Sequence, residues 1–434
     1  MSHLDLLIDA PGPKKLLAID GGGIRGLIAI EFLCKIEALL RERFDRPQLV
    51  LSEYFDYVAG TSTGAIIATL ISLGYSTEAI RRFYRTGAHT MFDPNFLQRI
   101  ARRTKGPLAI VMGIAGMLVY KAIYTSVPLE RQIKEVLDDP LPGGAAPEHE
   151  RPLTTLGTEK LRTLLMIVTR NASTDSPWPL SNNPRAKYNL RADPAGATNL
   201  DIPLWELIRA STAAPVFFKP KEIHVPGVAK PFVFLDGGIT VYNNPAFQLF
   251  LMATLPTYNL GWPAGQSQLL LISVGTGLCD SEDLKLGERE MNLLYNVQST
   301  PAALMRATTV EQDILCRVFG KLRGDCGIDA IDSEIGDLID NRVPLAEKLF
   351  TYARYNVELS ARGLKKLQIE GVDPKLLQPL DSVDHLDELE RVGKTAAQRC
   401  VDIGDFEGFL DRSALRPSVH APPLPQEPLA SVTA

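Results

Sequence analysis

The sequence predicts an α/β fold: three layers, α/β/α, with a largely parallel central sheet and a helical C-terminal region. Three observations carry that expectation. Strand-length apolar runs alternate with helical patterns from residue 16 to 274, as in a sheet covered on both faces. Several runs end in turns built on small residues: Asp20-Gly21-Gly22-Gly23, Gly60-Thr61-Ser62-Thr63-Gly64, Asp236-Gly237-Gly238 and Gly275-Thr276-Gly277. And 45% of the 434 residues are apolar, enough for a sizeable core.

Taken in order, residues 1–14 read as a flexible leader, 16–20 as a strand, and 27–43 as a helix with Ile30, Leu33, Ile36 and Leu40 at helical spacing. A buried strand is expected over 54–59 and a helix over 65–73. Ser76 or Thr77 caps a further helix to about residue 88. Beyond it come a helix over 128–137, a Pro/Gly-rich loop over 140–157, a central strand over 162–169 and a second loop over 171–184. Asp201 is placed as the cap of a helix through Trp205, Leu207 and Ile208. Strands follow over 232–235 and 268–274, with Asn244-Pro245 opening the helix between them. After Gly277 the pattern is read as helical, including 345–359 and 386–410. The division is a leader (1–14), a catalytic domain (15–280), a mainly helical region packed on it (281–412) and a Pro-rich disordered tail (413–434).

Bulk properties narrow the function. A net charge of −5 excludes a globally basic nucleic-acid binder, and no nucleic-acid partner is expected. Cys34, Cys279, Cys316, Cys326 and Cys400 are scattered and form no CxxC pair, which argues against a disulfide framework and for a reducing cytosol. The first fifteen residues lack the basic-then-apolar plan of a signal peptide. The longest apolar run, 108–119, is too short to span a bilayer.

The glycine turn after the first strand opens a helix, so its N–H groups and the helix dipole favour negative charge, either a phosphate or a transient oxyanion. Gly21-x-Gly23-x-x-Gly26 matches the dinucleotide fingerprint in form. The acidic residues at the required distance, Glu42 and Asp45, close a helix instead of a strand, and the GK[ST] pattern is absent. Residues 60–64 then read G-x-S-x-G between a strand and a helix, the context of a nucleophile elbow with Ser62 at its tip and Gly60 and Gly64 beside it. A nucleophilic serine needs a base. None of His3, His89, His149, His224, His385 and His420 has a distinctive context, whereas Asp236 closes a strand with two glycines behind it. A carboxylate in a dry pocket is a better base than one in water.

The motifs DGGGIRG (20–26), GTSTG (60–64) and DGG (236–238), in this order, resemble the patatin-like phospholipase family, as do ASTAAPVFF (210–218) and YARYNVEL (352–359). The resemblance implies a Ser62–Asp236 dyad without histidine. It implies an oxyanion hole formed by Gly21, Gly22, Gly23 and Arg25, and hydrolysis of ester bonds in membrane lipids with no metal or cofactor. Nucleotide binding through the glycine turn, or a non-catalytic scaffold, are the competing classes, and both leave the contexts of Ser62 and Asp236 unexplained. Between Glu78 and Lys105 seven basic residues face two acidic ones, and the apolar run 108–119 follows. This makes 81–119 the candidate peripheral contact with a membrane.

Overall fold

The computed structural model describes residues 2–96, 98, 122–137, 153–191, 196–225, 228–279, 293–326, 338 and 345–418. Among the described residues nine strands form one sheet: β1 (Lys14–Ile19), β2 (Tyr57–Thr61), β3 (Leu164–Asn171), β4 (Ser176–Ser181), β5 (Lys221–Ile223), β6 (Phe232–Asp236), β7 (Leu269–Val274), β8 (Gly320–Asp325) and β9 (Phe350–Tyr355). Their order is β5-β6-β3-β2-β1-β7-β9-β8, with β4 also on β3. β3, β2, β1, β7, β9 and β8 run parallel, while β4, β5 and β6 pair antiparallel.

The expected three-layer α/β/α arrangement is present, and strand alternation shows why. Along β1, Leu16 and Ala18 enter one apolar cluster while Leu17 and Ile19 enter another. β7 and β9 divide in the same way, with Leu271 and Tyr352 on one face and Ile272 and Tyr355 on the other. One cluster is covered by the helices α2 (Gly26–Phe44), α4 (Thr63–Ser72), α5 (Thr77–Met91) and Leu386–Cys400. The other is covered by α1 (His3–Asp9), Ala246–Thr254 and the C-terminal part of Leu293–Phe319. The short helix α3 (Leu51–Tyr54) precedes β2.

Five local expectations are corrected. The leader contains a helix: Ser2 and Asp5 form a capping box, Leu4, Leu7 and Ile8 are buried, and Lys14 Nζ donates to the carbonyls of Leu7 and Ala10 at its C-terminal end. The loop expected over 171–184 contains β4. Its sequence, SPWPLS, hides a strand because Pro177 and Pro179 cannot donate to a ladder, and only an edge strand tolerates them. Asp201 completes a capping box with Thr198 on a preceding short turn, and Pro203 occupies the N-cap of Leu204–Ser211. The helical reading of 345–359 is wrong: β9 lies there, parallel to β7 and β8, so the region after 280 adds two strands to the same sheet. The tail is docked as far as 418. Arg416 donates to Ser52 O (2.9 Å), Asp56 Oδ1 (2.7 Å) and Phe55 O. Residues 419–434 lie outside the described residues.

The basic stretch is partly spoken for within the chain. Arg81 pairs with Glu31 at 3.2 Å and with Glu78, and Arg85 pairs with Asp387 at 2.8 Å and with Glu390. Arg82 is exposed on α5, while Arg99, Arg102, Arg103, Lys105 and the apolar run 108–119 lie outside the described residues. Among the described residues no helix is long and apolar enough to cross a membrane.

Candidate active site

Sheet register brings Ser62 and Asp236 together. β2 pairs with β3 as far as Thr61↔Val168. β4 holds the other edge of β3 over Met166 to Asn171, so β6 must approach along the edge that β2 occupies. It does so head-on, with Asp236 paired to Thr169, one position beyond Val168. The residue after β2 therefore meets the last residue of β6. Ser62 Oγ donates to Asp236 Oδ2 at 2.7 Å. The sequence places Asp236 correctly at a strand end. Its strand, however, runs antiparallel, so this meeting of strand tips, and not a shared carboxyl edge, makes the contact.

The elbow is strained, as the motif requires. Ser62 has φ 54 and ψ −121, a conformation rare outside glycine. Gly60 and Gly64 allow the turn to close: a Cβ on Gly60 would lie 2.0 Å from Gly64 O, and one on Gly64 would lie 2.3 Å from Ile19 O. Ser211, not marked by sequence reading, steadies the tip. Its Oγ accepts from the Ser62 N–H at 2.9 Å and donates to Val168 O at 2.6 Å. It belongs to the ASTAAPVFF segment, which was the available signal.

Asp236 is buried, and its second oxygen accepts from the Gly238 N–H at 2.7 Å. Burial pushes its carboxyl up to about 6. The hydrogen bonds from Ser62 and Gly238 and the charge of Arg209 act in the opposite direction. Arg209 is itself buried, with Nη2 donating to Lys219 O at 2.9 Å and Nε 3.3 Å from Glu130 Oε1.

The glycine turn faces the pair, but its donors are not all available. Gly21 N–H donates to Asn243 O at 3.1 Å, and Ile24 N–H donates to Leu380 O at 2.8 Å. Arg25 turns away: its N–H and Nε donate to Gly22 O, and Nη1 reaches Cys279 Sγ at 2.6 Å. Gly22 and Gly23 N–H keep no partner among the described residues. Both residues line the cavity beside Ser62. Of the four residues expected to form the hole, Gly21 and Arg25 thus support the turn from behind. Gly23 has φ +59, and a Cβ there would lie 2.2 Å from Leu380 O, so a side chain is excluded on both counts.

Asp20, just before the turn, is locked by a residue that sequence reading did not single out. Arg354 of β9 binds both its oxygens, at 2.9 and 2.6 Å, and also Ser273 Oγ at 2.7 Å. Burial pushes the Asp20 carboxyl above its usual range, and Arg354 opposes that push. Arg354→Met is expected to destabilise the chain strongly, by about 3–5 kcal/mol, because it strands a buried charge. Urea unfolding measures this, and adding Asp20→Asn should recover much of the loss.

The pair opens onto a cavity of about 460 Å³. Met91, Phe92, Ile123, Leu129, Phe217 and Phe218 make its walls largely apolar. No histidine among the described residues lines it. His89 and His224 are exposed, and His385 sits 3.8 Å from Glu388. Among the described residues no cluster of His, Cys, Asp or Glu could hold a metal ion.

A family model described as patatin-like phospholipase matches residues 17–250, more than half of the chain, and the chain belongs to that family. Among curated proteins it is 30% identical over 271 residues to an intracellular phospholipase A2 of Caenorhabditis elegans, covering 60% of this chain and 19% of that protein. It is 28% identical to a cGAMP-activated phospholipase of Vibrio cholerae, covering 54% of this chain and 56% of that protein. It is 27% identical to patatin-like protein 1 of Arabidopsis thaliana, covering 66% and 65%. In each case the match spans less than two thirds of the relative's length.

Proposed function

We propose that the chain is a lipid acyl hydrolase that cleaves carboxylic esters of membrane lipids through an acyl-enzyme on Ser62, with Asp236 as base. The observation that carries this reading is the 2.7 Å contact from Ser62 Oγ to a buried carboxylate at the floor of an apolar cavity. Family membership supports it. Asp236 Oδ2 takes the Ser62 proton as Oγ bonds to the ester carbonyl carbon. The carbonyl oxygen becomes an oxyanion held by the N–H groups of Gly22 and Gly23. The C–O bond to the alcohol then breaks, and Asp236 returns the proton to that leaving oxygen. Water adds to the acyl-enzyme with Asp236 again taking a proton, and the fatty acid leaves as Ser62 is restored. A carboxyl near 6 is a far stronger base than an ordinary aspartate and is still ionised at neutral pH.

The apolar cavity suits an acyl chain, and the lipid is taken from a bilayer against which the chain docks peripherally. A nucleotide reading of the glycine turn fits less well. With Gly21 and Ile24 N–H committed to protein carbonyls, the two remaining turn donors suit one oxygen better than a pyrophosphate. The test is a fluorophosphonate probe followed by peptide mass analysis, with fatty-acid release from phosphatidylcholine vesicles measured in parallel. The adduct is expected on Ser62 together with released acid. A chain that neither labels nor releases acid is not a hydrolase.

A further inference from the structure

Asn243 occupies the seam between the two halves of the site. Its backbone carbonyl accepts the Gly21 N–H, so it already holds the glycine turn. Its side chain is 5% exposed, and its orientation is fixed by a short chain of hydrogen bonds. Thr309 Oγ1 donates its one proton to Met305 O at 2.7 Å. The same oxygen must therefore accept from Asn243, and does so from Nδ2 at 2.8 Å. The amide cannot flip without losing that bond, so Oδ1 points the other way.

There it meets both catalytic turns. Asn243 Oδ1 lies 2.4 Å from where a Cβ on Gly21 would stand and 2.9 Å from the same point on Gly238. Those two points lie 3.4 Å from Ser62 Cβ and 3.0 Å from Asp236 Oδ1. The oxygen is wedged between the turn that carries the oxyanion donors and the turn that carries the base. It has no hydrogen-bond donor among the described residues. A buried acceptor left in that state lowers stability, and its retention points to a use elsewhere.

We propose that Asn243, oriented by Thr309, is the positioning residue that fixes the glycine turn against Ser62 and Asp236. Thr309 belongs to Leu293–Phe319, which lies outside the family-matched span and also supplies Met305 to the cavity wall. The helix after 280 is therefore part of the catalytic device. Asn243 touches no reacting atom; it sets the distance between the groups that do.

The inference rests on the hydrolase reading, and the experiment separates the two. Wild type, Asn243→Ala, Thr309→Val and Thr309→Ser full-length chains are compared on a soluble p-nitrophenyl ester, with thermal midpoints. Asn243→Ala is expected to lower kcat about 100-fold, the scale of a small misplacement at a reacting centre, with KM within about twofold and the midpoint unchanged or raised. Thr309→Val should lower kcat about tenfold by freeing the amide, and Thr309→Ser, which keeps the oxygen, should restore most of it. Unchanged kcat in Asn243→Ala overturns the proposal. So does a kcat loss accompanied by a lower midpoint and no rescue by serine, since that describes a packing residue. An inactive wild type overturns the hydrolase reading, and this inference with it.

Discussion

Ser62→Ala is expected to lower ester hydrolysis by about 10⁴-fold or more while leaving the far-UV circular dichroism unchanged. In the proposed mechanism Oγ attacks the bound ester and gives its proton to Asp236, 2.7 Å away. Alanine keeps the Cβ at a backbone position that is strained with either residue, so the elbow closes as before. What remains in the variant is a cavity and two aligned N–H groups, which bind an ester without cleaving it. Free fatty acid released from vesicles, compared at equal protein concentration, measures the loss. Activity within tenfold of wild type would remove Ser62 from the mechanism.

Asp236→Asn should be nearly as damaging, about 10³- to 10⁴-fold, because the amide keeps the shape but cannot take a proton. Its pH behaviour is more telling. Wild-type kcat/KM should fall with unit slope below about pH 6, where the carboxyl protonates, and the residual activity of the variant should lack that limb. Stability moves in the opposite sense. The folded-state value, about 6, lies above the ordinary 3.8, so the fold favours the protonated form. The stability gained from that preference is fully present below pH 3.8 and is lost as pH rises through 6. At pH 8 the wild type therefore carries a buried charge that asparagine removes. The variant should melt at a higher temperature there, by an amount worth roughly 3 kcal/mol at most. The advantage should vanish below pH 4. A variant less stable than wild type at pH 8 would mean that the carboxylate is better solvated than its burial implies.

What could be read from the sequence was what is local. The elbow is a five-residue motif whose strand, turn and helix are contiguous, so the position of Ser62 between β2 and α4 was legible. Asp236 was legible as the end of a short strand followed by glycines, but the direction of β6 was not, since five residues carry no mark of their partner. β4 was hidden because its prolines read as loop when taken alone. β9 was misread because both its faces are buried, so Phe350–Tyr355 keeps no single polar face: Thr351 and Arg354 fall on opposite sides of the strand. The commitments of Gly21 and Arg25 were hidden in part for a related reason. The Gly21 N–H goes to Asn243 O and Arg25 Nη1 to Cys279 Sγ, each more than two hundred positions away in sequence, while the Arg25 N–H turns back to Gly22 O. Arg354 lies in the YARYNVEL segment, but only the closed sheet gives it a role, and Thr309 has no local signature at all.

The bond between Asp20 and Arg354 joins positions 334 residues apart. At ordinary translation speeds roughly 20 to 70 s separate the making of its two ends. For the last third of that interval, once residue 236 is made, a growing chain holds Ser62 and Asp236 but has neither β9 to complete the sheet nor the guanidinium that anchors the residue before the glycine turn. Long-range closures of this kind come late in folding. For a protein proposed to attack membrane lipids, the timing matters to the cell that makes it. If the proposed hydrolysis needs that anchor, activity begins only after residue 354 has been made.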